Sequence, residues 1–117
     1  MSSKNRQLAK KKRALNYFKG RILNRAKKDD IAKIYLFGSL AREKVREDSD
    51  IDILIFSRKE KDRRLEDIID ETAFDTVVKY GESVEPLIYS FKDFKFPKSA
   101  FLKRVILDGR ELYSTII

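Results

Sequence analysis

Three residue types are missing from this chain of 117 residues: cysteine, histidine and tryptophan. Without cysteine the protein has no disulfide framework and no thiolate zinc site, and without histidine it lacks the commonest metal ligand and general base. Ser-His-Asp and Cys-His catalysis are therefore excluded. Any bound metal must be held by oxygen ligands, which suit magnesium, manganese or calcium.

Long apolar runs are missing as well. The chain is 42% hydrophobic and 39% charged, and charges interrupt every apolar stretch, so none approaches the roughly 20 residues that a membrane span requires. The N-terminal residues also lack the apolar block of a secretory signal. We therefore predict a cytoplasmic protein with no membrane segment, folded as a single compact domain.

Positive charge is concentrated at the N-terminus. The net charge is +8, and residues 1–28 hold eleven of the 27 lysines and arginines but none of the 19 acidic residues. Apolar residues in this segment recur at helical spacing, on one face: Leu8, Leu15, Phe18, Ile22 and Ala26. This pattern predicts a basic amphipathic helix, frayed over residues 1–6, ahead of a domain at 29–117. The opposite, basic face is either solvated or contacts nucleic acid or another acidic partner.

The rest of the chain alternates between strand and helix patterns. The first half holds a predicted strand at Ile31–Phe37, a short helix at 40–44 capped by Ser39, and a second strand at 51–56. A helix follows whose apolar residues span 65–77 and whose end is at Gly81. The last predicted elements are a strand at 84–89 and a helix that follows Pro97 and Ser99 and ends at Gly109. The tail at 112–113 should pack back onto the sheet.

These elements predict an α+β fold, a small mixed sheet packed with helices. The first two strands are apolar on both faces and should be central. Their short connection favours an antiparallel return. Pro86 places the third strand at an edge or a bulge.

A Gly38-Ser39 pair stands at the end of the first strand. If it opens a helix, free backbone N–H groups and the positive end of the helix dipole converge where an anion such as a triphosphate is stabilised. Gly38 allows a close approach because it has no Cβ. Ser39 adds a hydroxyl donor, and Arg42 adds a positive charge one turn later. The alternative is an ordinary Gly-Ser turn.

Two carboxylates follow at the start of the second strand. Residues i and i+2 of a strand point to the same face, so Asp50 and Asp52 should lie side by side. A divalent cation would relieve their repulsion, although they could also be harmless acids facing solvent. Together with Asp48 they match the first ligand positions of an EF-hand loop, but Ile53 stands where that loop needs glycine and Lys59 where it needs glutamate.

The phrase Phe-Gly-Ser-Leu-Ala-Arg…Asp-Ser-Asp-Ile-Asp-Ile-Leu resembles the signature of the DNA polymerase beta-like nucleotidyltransferase superfamily, and its minimal, stand-alone members in particular. The resemblance covers about residues 31–113. It implies the polymerase-beta-like nucleotidyltransferase fold, in which Gly38 and Ser39 hold the triphosphate. It also implies that Asp50 and Asp52 bind two Mg²⁺ ions, or Mn²⁺, beside a third carboxylate on a later strand.

Carried over by position, the third carboxylate falls on Glu85, with Glu82 as the second candidate. Many relatives have aspartate there, so Glu85 could instead be an acid at the strand edge without a ligand role. The chain also has Glu43 where relatives often carry glycine, which affects the geometry of the loop more than the chemistry.

The resemblance implies metal-dependent transfer of a nucleoside monophosphate, AMP in the first instance, from a nucleoside triphosphate to an acceptor hydroxyl. Glu85 would bind the metal nearest the nucleophile and act as its base. Minimal members often act as antitoxins of a helical HEPN-type partner, whose tyrosine would be the acceptor. Two rivals remain, a catalytically inactive module that binds nucleotide or partner, and a nucleic-acid-binding protein that uses the first helix. The edge near Pro86 also favours a homo-oligomer.

Overall fold

The computed structural model describes residues 2–115. Its elements, in chain order, are α1 (Ser3–Arg25), β1 (Ile31–Phe37), α2 (Gly38–Ala41), β2 (Ile51–Ser57), α3 (Arg63–Tyr80), β3 (Val84–Ser90), α4 (Phe91–Lys95), α5 (Ala100–Asp108) and β4 (Arg110–Ser114). No helix within these residues is both long and apolar enough to cross a membrane.

The strands form one mixed sheet in the order β3-β2-β1-β4. β1 is antiparallel to β2 and to β4, whereas β2 is parallel to β3. Helix α3 forms the crossover that the parallel pair requires. The α+β fold class is confirmed, as are the central positions of β1 and β2 and the edge position of Pro86.

Helices α1 and α3 cover one face of this sheet. The strand residues that point towards them are fully buried and include Ile34, Leu36, Ile51, Ile53 and Ile55. The helices add Ala14, Leu15, Phe18, Ile22, Leu65, Ile68 and Ile69 to the same cluster. The basic N-terminal helix therefore shares its core with the sheet.

Helices α4 and α5 cover part of the opposite face. Tyr35, Leu54 and Phe56 pack there against Leu102 and Val105 of α5 in a second, smaller buried cluster. Because side chains alternate along a strand, Asp52 points to this second face together with Leu54 and Phe56. The candidate acids therefore lie on the face that the long helices leave open.

Two predicted helix starts are wrong. Helix α1 begins at Ser3, where the hydroxyl of Ser2 accepts a hydrogen bond from the N–H of Asn5 at 3.1 Å. Residues 2–6 are therefore not frayed; Met1 lies outside the described residues. Helix α2 starts at Gly38, so Ser39 lies inside it, and the extended Phe37 stands at the cap without a side-chain hydrogen bond.

The packing of the tail onto the sheet is confirmed, but neither its strand nor the short helix α4 was predicted. Helix α4 has only five residues, Phe91–Lys95, too few to display a helical period before Pro97. The tail forms strand β4, in which Tyr113 pairs with Ile34 of β1. Its residues are exposed or half-buried and give no strand pattern of their own, so the pairing depends on the tertiary fold.

Burial departs from the predicted pattern at three side chains. The sequence predicts that the lysines and arginines of α1 lie on its basic face, but Lys11 is only 1% exposed, because helical spacing places it between Leu8 and Leu15. Val77 of α3 and Phe101 of α5 are apolar and follow the helical spacing of the core residues, which predicts burial, but they are 44% and 39% exposed. Thr76 is buried in α3 instead, because its hydroxyl donates to the carbonyl of Thr72 at 2.7 Å and needs no water.

The end of α3 generates a stability prediction. Gly81 has φ +69°, and its N–H donates to the carbonyl of Val77 at 2.8 Å. We expect Gly81→Ala to destabilise the protein by about 1 kcal/mol, since the left-handed conformation is costly for any residue with a Cβ. Urea unfolding followed by circular dichroism measures the change.

Gly20 offers a matched control in the middle of α1. It is exposed, and a Cβ there would meet nothing within 4 Å. Gly20→Ala should therefore stabilise by roughly 0.5–1 kcal/mol. The same sign for both variants would contradict the conformational argument.

Candidate active site

The turn between β1 and α2 is fixed by Gly38. This residue has φ +76°, and a Cβ built on it would overlap Oδ2 of Asp52 on the adjacent strand. Glycine is therefore required here both by the backbone conformation and by the close approach of a carboxylate. Helix α2 is a single turn, so the donors at this point are its first backbone N–H groups rather than the dipole of a long helix.

The strand register brings two of the predicted acids together. Asp52 is paired with Phe37 across the antiparallel β1–β2 ladder and with Glu85 across the parallel β2–β3 ladder. Paired residues of neighbouring strands present their side chains on the same face. Asp50 precedes β2 by one residue, and it is exposed, as is Glu85, whereas Asp52 is half-buried.

The electrostatics of Asp52 reflect this arrangement. Burial raises the pKa of the Asp52 carboxyl above its ordinary value, and repulsion from Asp50 and then Glu85 raises it further, while Arg42 lowers it. Asp50, Glu85 and Arg42 thus each lie within electrostatic reach of Asp52. Two negative charges beside a third, half-buried carboxylate are unfavourable unless a cation is added.

Glu82, the second candidate for the third carboxylate, lies elsewhere. It is 3% exposed and forms an ion pair with Lys11 of α1 at 2.5 Å, among the buried residues. Its carboxylate is thus engaged by a lysine, whereas Glu85 shares the register of Asp52.

The donor set fits a hard divalent cation in its chemistry. All three acids offer carboxylate oxygens, which suit Mg²⁺ or Mn²⁺. In the described part of the chain, no three acidic side chains are arranged so as to hold a metal ion. Holding one therefore requires the exposed side chains of Asp50 and Glu85 to turn towards Asp52.

A cavity of about 270 Å³ adjoins the Gly38 turn. Its lining includes Phe37, Arg42, Phe101 and Arg104, and the rings of Phe37 and Phe101 meet edge to face at 5.4 Å. Phe101 and Arg104 were not among the predicted site residues. Their spacing of three in α5 was the available signal, but it does not reveal that α5 packs beside the turn. Larger, more open grooves lie along α1 and α3 and beside β3, away from these acids.

A glycine turn, a short helix and strand-borne acids around one open sheet face define the class of nucleotide-handling transferases. Residues 19–113 match the model of the nucleotidyltransferase domain family. The chain belongs to this family, which confirms the resemblance drawn from the sequence.

One curated relative is the "Putative protein adenylyltransferase" of Methanocaldococcus jannaschii, 28% identical over 86 residues. The match covers 72% of this chain but only 58% of the relative, so this chain corresponds to little more than half of that protein.

Solved structures share the fold at low identity. A toxin–antitoxin complex with AMP-PNP matches with TM-score 0.56 and 20% identity, over 85% of this chain and 73% of the other. A complex of a tri-AMPylated HEPN toxin with an MNT antitoxin from Shewanella oneidensis matches with TM-score 0.50 and 19% identity, over 86% and 72%.

The electrostatics of Asp52 predict that Asp52→Asn stabilises the metal-free protein. A carboxyl with a raised pKa contributes stability below its unfolded pKa and loses it as the pH rises through the folded value. Because burial and two acidic neighbours raise the pKa of Asp52, the wild type is penalised at neutral pH. In EDTA at pH 7 we expect the Tm of the variant to be higher by about 2–5 °C, with the difference vanishing near about pH 3.

Asp29→Asn is the control, because Asp29 is exposed and lies in the turn before β1, away from these acids. Its Tm should equal that of the wild type within about 1 °C. A variant Asp52→Asn that melts at or below the wild-type temperature at pH 7 would show that this carboxyl is not under repulsion.

Proposed function

We propose that the protein is a metal-dependent nucleotidyltransferase that moves AMP from ATP to an acceptor hydroxyl. The observation that carries the proposal is the position of Asp52. It packs against Gly38 on one side, is paired with Glu85 on the other, and is within electrostatic reach of Asp50 and Arg42.

In this proposal the glycine turn binds the phosphates and the acids bind the metal ions. Gly38 and Ser39 present backbone N–H groups and a hydroxyl to the phosphates, and the guanidinium of Arg42 neutralises part of their charge. Asp50, Asp52 and Glu85 are the ligands for two Mg²⁺ ions, with Mn²⁺ as the substitute. When bound, such ions stabilise charge on the phosphates and lower the pKa of a coordinated hydroxyl.

Glu85 has the further role of base. Its carboxylate accepts the proton of the acceptor hydroxyl, the freed oxygen forms a bond to the α-phosphorus, and the bond from that phosphorus to the bridging oxygen of pyrophosphate breaks. The acceptor gains AMP, and pyrophosphate carries away the leaving electron pair.

The acceptor is proposed from the relatives. The Methanocaldococcus relative is named as a protein adenylyltransferase, and the solved complexes contain AMP-PNP or a tri-AMPylated HEPN toxin. We propose that this chain likewise acts on a HEPN-type protein, with a tyrosine hydroxyl as acceptor, as the antitoxin of a toxin–antitoxin pair. The cavity between α2 and α5, with Arg42 and Arg104 in its lining, is the proposed place of the nucleotide.

A second candidate is a module of the same fold that binds nucleotide or partner without catalysis. It is favoured by the exposure of Asp50 and Glu85, which leaves the acids unassembled among the described residues. Nucleotide binding without transfer would support it.

The acidic pair generates the first functional test. The protein is incubated with α-labelled ATP, Mg²⁺ and a HEPN-type protein as the proposed acceptor, and label on that acceptor is measured. Asp50→Asn and Asp52→Asn should each lower the initial rate at least about a hundredfold, because each removes a ligand of ions that stabilise the transferred phosphate by several kcal/mol.

Asp48→Asn is the matched control, since Asp48 is an exposed acid in the same loop but outside the proposed ligand set. Its rate should stay within about twofold of wild type. Transfer that survives Asp50→Asn unchanged would remove this carboxylate from the metal site.

Glu85 is tested separately from the binding of ATP. Glu85→Gln should lower the transfer rate by about 10²–10⁴-fold, the usual contribution of a general base. Its affinity for ATP, measured by calorimetry with a non-hydrolysable analogue, should fall far less. A variant with the wild-type rate would show that Glu85 is an ordinary acid on an edge strand and favour Asp50 and Asp52 acting without it.

A further inference from the structure

Lys11 is a buried cation near the middle of α1, whose other lysines and arginines are exposed or half-buried. Its side chain is 1% exposed, and its ammonium group forms an ion pair at 2.5 Å with Glu82, which is 3% exposed. Burying two charges costs free energy that their attraction need not recover, and apolar residues are often as stable in such places. The pair therefore calls for an explanation beyond stability.

The ammonium group of Lys11 has two more partners, both backbone carbonyls. It donates to the carbonyl of Ser49 at 2.7 Å and to that of Glu47 at 3.3 Å. A lysine ammonium has three N–H donors, so Glu82, Ser49 and Glu47 use all of them. A buried ammonium group whose three hydrogen bonds are all formed is held in one position, and it holds its three acceptors there as well.

These acceptors lie next to the proposed metal ligands. Ser49 directly precedes Asp50, and Glu82 stands three residues before Glu85. The N–H of Ile51 donates to the carbonyl of Ser83 at 2.9 Å, where the β2–β3 pairing begins. Lys11 therefore joins the two acid-bearing segments at the point where they enter the sheet.

Asp50 needs such support more than the other acids. Asp52 and Glu85 belong to paired strands, but Asp50 is exposed and precedes β2. The loop before it has its own turn, in which the N–H of Ser49 donates to the carbonyl of Arg46 at 3.1 Å and the N–H of Arg46 to the Ser49 hydroxyl at 2.8 Å. This turn shapes the loop locally but does not tie it to β3.

We propose that Lys11 is a positioning residue for the metal site: its ammonium group holds the loop at residues 47–49 and the start of β3 together, so that Asp50 and Glu85 lie on either side of Asp52. The proposal rests on the proposed function, in which these acids bind metal. Lys11 itself touches neither substrate nor metal.

Two variants distinguish the contribution of the ion pair from that of the contacts between Lys11 and the loop carbonyls. Glu82→Gln removes the charge of Glu82 but leaves Lys11 and its contacts with Ser49 and Glu47. The double variant Lys11→Met/Glu82→Leu removes both buried charges and fills the space with apolar groups, while it abolishes the contacts to the loop. Lys12→Met is the control, because Lys12 is half exposed and its contact with Glu43 spans 3.8 Å.

We expect stability and metal binding to respond in opposite ways. Glu82→Gln should melt at a lower temperature but keep Mn²⁺ affinity within about threefold of wild type, measured by electron paramagnetic resonance with an ATP analogue. The double variant should melt near the wild-type temperature, yet bind Mn²⁺ about 10–100-fold more weakly, the usual effect of losing a residue that orients ligands. In the transfer assay its kcat should fall while its KM for ATP changes little. Lys12→Met should behave as wild type.

Wild-type Mn²⁺ affinity in a folded double variant would overturn the proposal and leave Lys11 a structural residue. The metal-free wild type provides a further test that needs no variant. Backbone order parameters of residues 47–50 should exceed about 0.8, and values below about 0.6 would contradict a held loop. If the wild type binds Mn²⁺ but transfers no label, the proposed function fails, whereas the affinities and order parameters still decide the role of Lys11.

Discussion

The parallel register between β2 and β3 is the constraint on which the site depends. Because Asp52 stands opposite Glu85 and Phe37 stands on the other side of Asp52, three strands deliver the carboxylates and the glycine turn to one place. The fold fixes that register through Ile51, Ile53 and Ile55, which are fully buried against α1 and α3. A slip by one residue would turn Asp52 towards α1 and α3 and move these isoleucines to the opposite face of the sheet.

The same arrangement concentrates negative charge on an otherwise basic protein. Asp52 packs so closely on Gly38 that no other residue fits there, and its pKa is raised by burial and by its acidic neighbours. Two positively charged side chains, those of Arg42 and Lys11, act near these acids in different ways. Arg42 opposes the repulsion at Asp52 directly, whereas Lys11 is bonded to the carbonyls of the loop before Asp50. The fold thus accepts an unfavourable charge cluster where a divalent cation would be favourable.

Local patterns were sufficient to predict the central strands, α3 and its end at Gly81, because these depend on periodicity and glycine conformation. Chemical type selected Asp52 and Glu85 as candidate ligands, and the strand register pairs them, but their roles stay predictions. Local patterns were insufficient where the outcome depends on packing between distant segments. Helical spacing places Lys11 on the same face as Leu8 and Leu15, unlike Lys10 and Lys12. What the local pattern does not show is its partner, a glutamate 71 positions away. In the same way, β4 exists only because β1 offers a free edge.

The most direct test of this account is the position of manganese in crystals grown with Mn²⁺ and a non-hydrolysable ATP analogue. The anomalous signal of manganese distinguishes these ions from water and from the atoms of the protein. The account predicts manganese bound by Asp50, Asp52 and Glu85, with the phosphates against Gly38 and Ser39. Manganese bound elsewhere, or by Asp50 and Asp52 with Glu85 turned away, would contradict the assembled three-carboxylate site.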